Sequence, residues 1–133
     1  MANELRVEIT GAREIQARLA RLGTEAPAAL GAALYRQGER IMTEAKRRTP
    51  VDTGALRASG TVLPPVVRGR EVTVTLGFGG PAVGYAIHVH ENLTARHPVG
   101  QAKFLESALF EASRTLAADL ARDLDAALAR LGR

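Results

Sequence analysis

Residues 71–90 read EVTVTLGFGGPAVGYAIHVH, and their alternation decides the fold class. Val72, Val74, Leu76 and Phe78 alternate with Glu71, Thr73, Thr75 and Gly77, and the alternation resumes at Tyr85, Ile87 and Val89 beyond Gly79-Gly80-Pro81. A period of two with β-branched and aromatic residues on one side marks a half-buried strand, and Gly-Gly-Pro is turn chemistry. The stretch therefore reads as two strands of a small sheet. Upstream, Thr61–Leu63 adds a short strand stopped by Pro64-Pro65. At the start of the chain Leu5, Val7 and Ile9 alternate with Glu4, Arg6 and Glu8 until Gly11 breaks the pattern.

Outside the strands the period changes to that of a helix. Ala12, Ile15, Leu19 and Leu22 recur at helical spacing up to Gly23, a helix stop. Thr24 then serves as a candidate N-cap, with Pro27 in the first turn of a long central helix. Leu30, Ala33, Leu34, Ile41, Met42 and Ala45 form its stripe. That helix ends near Thr49, because Pro50 disfavours helical geometry in the residue before it. Gly31 and Gly38 each cost it up to about 1 kcal/mol relative to alanine, so close approach of another backbone is expected there.

Residues 91–102 read as a polar loop, and from Gln101 a single helix is expected to run to Leu131. Leu105, Leu109, Ala112, Leu116, Leu120, Leu124, Leu128 and Leu131 lie mostly four apart along it. Thirty residues of helix would reach about 45 Å, more than a domain of this size covers alone. Leu116, Leu120, Leu124, Leu128 and Leu131 are accordingly expected at a subunit or partner interface. The fold class is α+β: one domain over residues 1–133, with a small antiparallel sheet of three to four strands packed by a long central helix and a long C-terminal helix.

Composition narrows the function. A hydrophobic fraction of 46% with 24% charged residues excludes wholesale disorder. The absence of cysteine excludes disulfides, thiol nucleophiles and cysteine-ligated metals. No apolar run approaches the roughly 20 residues of a membrane span, and MANELRVEIT lacks the apolar core of a signal peptide, so a soluble chain made in a cytoplasm is expected. The net charge is +4, and its excess lies in residues 1–50, which carry nine Lys/Arg against six Glu. Lys46-Arg47-Arg48 is a local patch and not a pervasive basic surface. It reads either as cations favourable at a helix C-terminus or as a DNA-facing rim.

Catalytic signals are weak. His88 and His90 would share one face of a strand and could share a metal, but a zinc site needs a third ligand, and His97 is placed in a loop. The alternative is a polar strand face, so no metal and no cofactor are expected. Ser59, Ser107 and Ser113 lack the glycine elbow of a nucleophilic serine. Gly77-Phe78-Gly79-Gly80 opens no helix and so cradles no phosphate. The chain is not expected to be an enzyme.

The most specific segment is AKRRTPVDTGALR, Ala45–Arg57. Pro50 ends the helix, Asp52 or Thr53 caps a turn and Gly54 permits tight geometry, so Thr49, Pro50, Asp52, Thr53 and Gly54 read as a structural junction. With YAIHVHE at residues 85–91 and GQAKFLESAL at residues 100–109, in that order and spacing, the chain resembles the minor capsid or head–tail joining proteins of long-tailed double-stranded DNA bacteriophages. These are also called neck or tail-completion proteins. After Glu91 the sequence has Asn92-Leu93-Thr94 and His97-Pro98-Val99 where many members carry Gly-Thr and Arg-Pro, which marks a variant branch.

The resemblance implies a structural virion protein, assembled in the host cytoplasm, that forms a ring at the head–tail junction or the upper end of the tail. Such a ring would contact neck, portal-side or tail-tube proteins and let double-stranded DNA pass without sequence-specific binding, with no membrane partner. The rival reading is a small basic nucleic-acid-binding module using Lys46, Arg47 and Arg48.

Overall fold

A computed structural model describes residues 3–8, 12–49, 57–69, 71–78, 84–90, 94–99 and 103–133. In chain order these form strand β1 (Asn3–Glu8), helix α1 (Ala12–Leu22), a 3-10 turn (Gly23–Glu25) and helix α2 (Ala26–Arg48). Strands β2 (Thr61–Val62), β3 (Val66–Arg68), β4 (Glu71–Gly77), β5 (Gly84–His90) and β6 (Thr94–Val99) follow, then helices α3 (Lys103–Ser113) and α4 (Leu116–Arg130). The class is α+β, as the change of period predicts.

The sheet is antiparallel throughout its described pairs and larger than the sequence suggests. Its order is β1-β6-β5-β4-β2, with β3 also on β4. The added strand β6 occupies part of the segment expected as a loop. Pro98 stands opposite Glu4 of β1, and among the described pairs β6 meets β5 at Ala95 and Arg96.

Helix α2 lies between the sheet and the other helices and is buried on two sides. Toward the sheet, a Cβ on Gly38 would meet Val62 Cγ1 and Val74 Cγ1 at 3.1 Å each, and one on Gly31 would meet Pro65 Cβ at 3.4 Å. The glycines thus admit side chains of the sheet, not the neighbouring backbone expected from sequence. Val72, Val74 and Leu76 of β4 are buried beneath them. Helix α2 does not begin at Thr24. The chain first makes the 3-10 turn, Gly23 takes φ +59° to end α1, and Glu25 at the N-cap position makes no side-chain cap bond.

The expected single C-terminal helix is two helices. Thr115 leaves the helical region at φ −117°, ψ 3°, and the N–H groups of Arg114 and Thr115 donate to Glu111 O at 3.2 Å and Ala112 O at 3.1 Å. Ser113 Oγ donates to Phe110 O at 2.6 Å and Thr115 Oγ1 to Asp119 Oδ2 at 3.0 Å. Short hydroxyl side chains that bond locally compete with helix continuation, and here they end one helix and start the next. No glycine or proline marks the break.

The break lets α4 lie across α1 and α2. Ile15, Leu19 and Leu22 of α1 and Leu34 and Ile41 of α2 join Leu116, Leu120, Leu124 and Leu128 in one buried cluster. Charged bonds flank it: Asp125 accepts from Arg18 Nε at 2.7 Å and Nη2 at 3.1 Å. Asp123 accepts from Arg36 Nη1 at 3.2 Å and from the buried Gln37 Nε2 at 3.0 Å. Arg133 Nη1 closes the arrangement by donating to Leu22 O at 2.9 Å.

Candidate functional site

The junction at the end of α2 is built from both of its flanks. Thr49 is buried and extended, φ −73° and ψ 130°, the geometry that a following proline imposes. Its N–H donates to Lys46 O at 3.2 Å and its Oγ1 to Ala45 O at 2.9 Å. Its carbonyl accepts from Arg57 Nη2 at 2.8 Å. Arg57 is therefore a strut across the segment from residue 50 to residue 56, and sequence reasoning did not single it out. Only its place at the end of the T-P-V-D-T-G-A-L-R run hinted at it. Pro50, Asp52, Thr53 and Gly54 lie outside the described residues.

The basic patch separates into unlike parts. Arg48 Nε reaches Glu44 Oε1 at 3.3 Å, Nη1 donates to Ser107 Oγ at 2.9 Å, and Nη2 pairs with Glu111. Glu111, with Glu44 behind it, raises the Arg48 pKa above its ordinary value, so the guanidinium stays charged and tied to α3. Arg47 is exposed and lies 3.6 Å from Glu44 Oε2. Lys46 lies over the turn after the junction, where a Cβ on Gly60 would come within 2.7 Å of its Cε.

Between α2 and the α3–α4 break runs a cleft of about 670 Å³. Arg40, Arg47 and Arg114 line it, but so do Glu44, Glu111 and Asp119, and the charges cancel. In the cleft positive charge is matched by carboxylates, and in the patch Arg48 is held by Glu111 and Glu44 with Arg47 beside the same Glu44, which leaves little of the uncompensated positive surface that phosphate binding uses.

The leucines expected at a partner interface lie elsewhere. Leu116, Leu120, Leu124 and Leu128 are 0–4% exposed, covered by the chain's own α1 and α2, and only Leu131 is open to solvent at 45%. The expectation failed because it treated the seam as one straight helix, whereas the break at Thr115 folds its second half back onto the domain. The overlong helix therefore gives no reason for a second subunit.

His88 and His90 stand on β5, where the register pairs position 88 with Thr73 and Arg96, and position 90 with Glu71. Their side chains, and that of His97, lie outside the described ones. Among the described residues no group of three His, Asp or Glu could hold a metal ion, and no helix is long and apolar enough to cross a membrane.

What the described geometry does is join elements: Arg57 ties the two flanks of the junction and Arg48 ties α2 to α3. Comparison with known proteins agrees with a structural role. A family model described as "Bacteriophage HK97-gp10, putative tail-component" matches residues 13–107. That span holds the first two segments on which the sequence resemblance rests, residues 45–57 and 85–91, and the third, 100–109, as far as residue 107. No curated protein and no solved structure matches the chain. Since the match covers well over half of its length, the chain belongs to the HK97-gp10-like family of bacteriophage proteins.

Proposed function

We propose that this protein is a non-enzymatic virion subunit that forms a ring at the head–tail junction or at the upper end of the tail. The ring connects the tail tube to the head and lets double-stranded DNA pass. The observation that carries the reading is the family match over residues 13–107, which includes the whole Thr49–Arg57 junction. The charge pattern supports passage over binding: Arg48 is neutralised by Glu111 and Glu44, and the cations of the α2 cleft are matched by carboxylates. Neighbouring neck, portal-side or tail-tube proteins are its partners in this reading. No described feature favours the nucleic-acid-binding alternative.

The test is removal of the gene from the particle-producing genome, followed by electron microscopy of the lysate. DNA-filled heads and separate tails are the expected products, with joining restored when the protein is supplied from a plasmid. Normal yields of joined, infectious particles without it would overturn the reading.

A further inference from the structure

The two edges of the sheet match each other. Reading across it, the register pairs Val67 with Val72, Val72 with Val89, Val89 with Ala95, and Ala95 with Val7. Residues directly opposite on paired strands share a face, so these five positions form one row from edge to edge. The row is 2% exposed at Val72 inside the sheet but 44% exposed at Val67 on the β3 edge, with Val66 beside it at 49%. At the opposite end the row stops at Val7 on β1, whose described pairing is to β6 alone. A cavity of about 340 Å³ lies against the same β3–β4 hairpin, lined by Leu19, Pro27, Leu30, Gly69 and Val72 among others. Among the described residues β3 pairs with β4 alone, and a strand edge with exposed valines is a template for another strand.

Strand directions fix how such a joint runs. From β3 through β4, β5 and β6 to β1 every described step is antiparallel, so β1 and β3 point the same way. Copies related head to tail would then pair these strands in parallel. Setting Val7 beside Val67 continues the row, and in a parallel joint it brings Glu8 beside Arg68, which is exposed. Opposite charges fall together in the one register that also continues the apolar row.

We infer that neighbouring copies of this chain join edge to edge, β1 of one copy pairing in parallel with β3 of the next, with Val7 beside Val67 and Glu8 beside Arg68. This rests on the ring reading and gives it an interface. A heterologous joint of this kind gives a ring when the rotation between copies closes, and every β1 and β3 is then paired.

Because the chain has no cysteine, introduced ones report the contact directly. Adjacent strands lie about 4.8 Å apart, within disulfide reach. The double variant Val7→Cys/Val67→Cys, co-expressed with the flanking gene products and then oxidised, is expected to give a covalent ladder up to the full ring on a non-reducing gel. Each single variant is expected to stay monomeric there, because in a head-to-tail joint position 7 never meets another position 7.

Cross-linking in either single variant would mean two-fold pairing of like edges and overturn the proposal. Rings seen by microscopy without a ladder would overturn the edge pairing and leave the ring reading standing. Monomers under every condition would overturn both. Independently, Val67→Lys changes an exposed position, so the melting temperature is expected to hold while assembly is lost, and intact rings of that variant would refute the joint.

Discussion

Replacing Leu124 with alanine tests whether the protein's own helices cover the α4 seam. Leu124 is fully buried, and its chain neighbours bind in opposite directions: Asp123 to Arg36 and Gln37 of α2, Asp125 to Arg18 of α1. Bonds on both flanks tie α4 to α1 and α2 and limit its shift into the void. The cost should therefore fall in the range for unrelaxed buried Leu→Ala changes, about 3–5 kcal/mol. Unfolding entropy of about 2.1 cal/mol/K per residue gives about 0.28 kcal/mol/K for 133 residues, so the melting temperature should fall by about 10–18 °C. Circular-dichroism melts at two protein concentrations about a hundredfold apart provide the assay, with Leu131→Ala as control. Leu131 is 45% exposed and should cost no more than about 0.5 kcal/mol, or about 2 °C. A Leu124→Ala shift as small as the control's, or a shift that depends on protein concentration, would place the seam against another subunit and refute the reasoning.

Gly38→Leu should lower stability by about 1–3 kcal/mol in denaturant melts, because Val62 and Val74 occupy the space its side chain needs; an unchanged midpoint would mean that the sheet yields there freely. Arg57→Ala should cost about 1–3 kcal/mol by leaving the Thr49 carbonyl without its charged donor, with Arg57→Lys restoring only part of it on the same melts. The Arg18 guanidinium holds the Asp125 carboxyl below its ordinary pKa, so its contribution is complete above about pH 3.9 and is lost as pH falls through the lowered value. Asp125→Asn should therefore lower the urea midpoint at pH 7, and the gap to the parent protein should narrow as pH falls below about 3.9, whereas a gap that stays constant through that fall would show that Arg18 does not act through charge.

Features set by short-range geometry are legible along the chain. The alternation in residues 71–90 specifies β4 and β5, because a strand must place every second side chain on one face to bury it. Pro50 sets the end of α2 because its ring acts on the residue directly before it. Gly31 and Gly38 announced a close approach because glycine in a helix interior is costly unless space demands it. The order of the three motifs pointed to the phage family, which the match over residues 13–107 supports.

The remaining features each depend on a partner far away in the chain, so no local pattern reveals them. Strand β6 exists because β1, some ninety residues earlier, supplies its ladder from Asn3 to Glu8. The sequence at 94–99, TARHPV, carries no alternation to reveal it. The α3–α4 break lies in residues that are all compatible with helix, so periodicity ran straight through it and misassigned Leu116, Leu120, Leu124 and Leu128 to a partner. Arg48 reads in sequence as one of three cations in a patch, and only Glu111 on another helix sets it apart; the role of Arg57 likewise depends on the Thr49 carbonyl brought to it. Local pattern records which face a residue turns inward; what meets that face is set by long-range packing, which no single stretch of sequence contains.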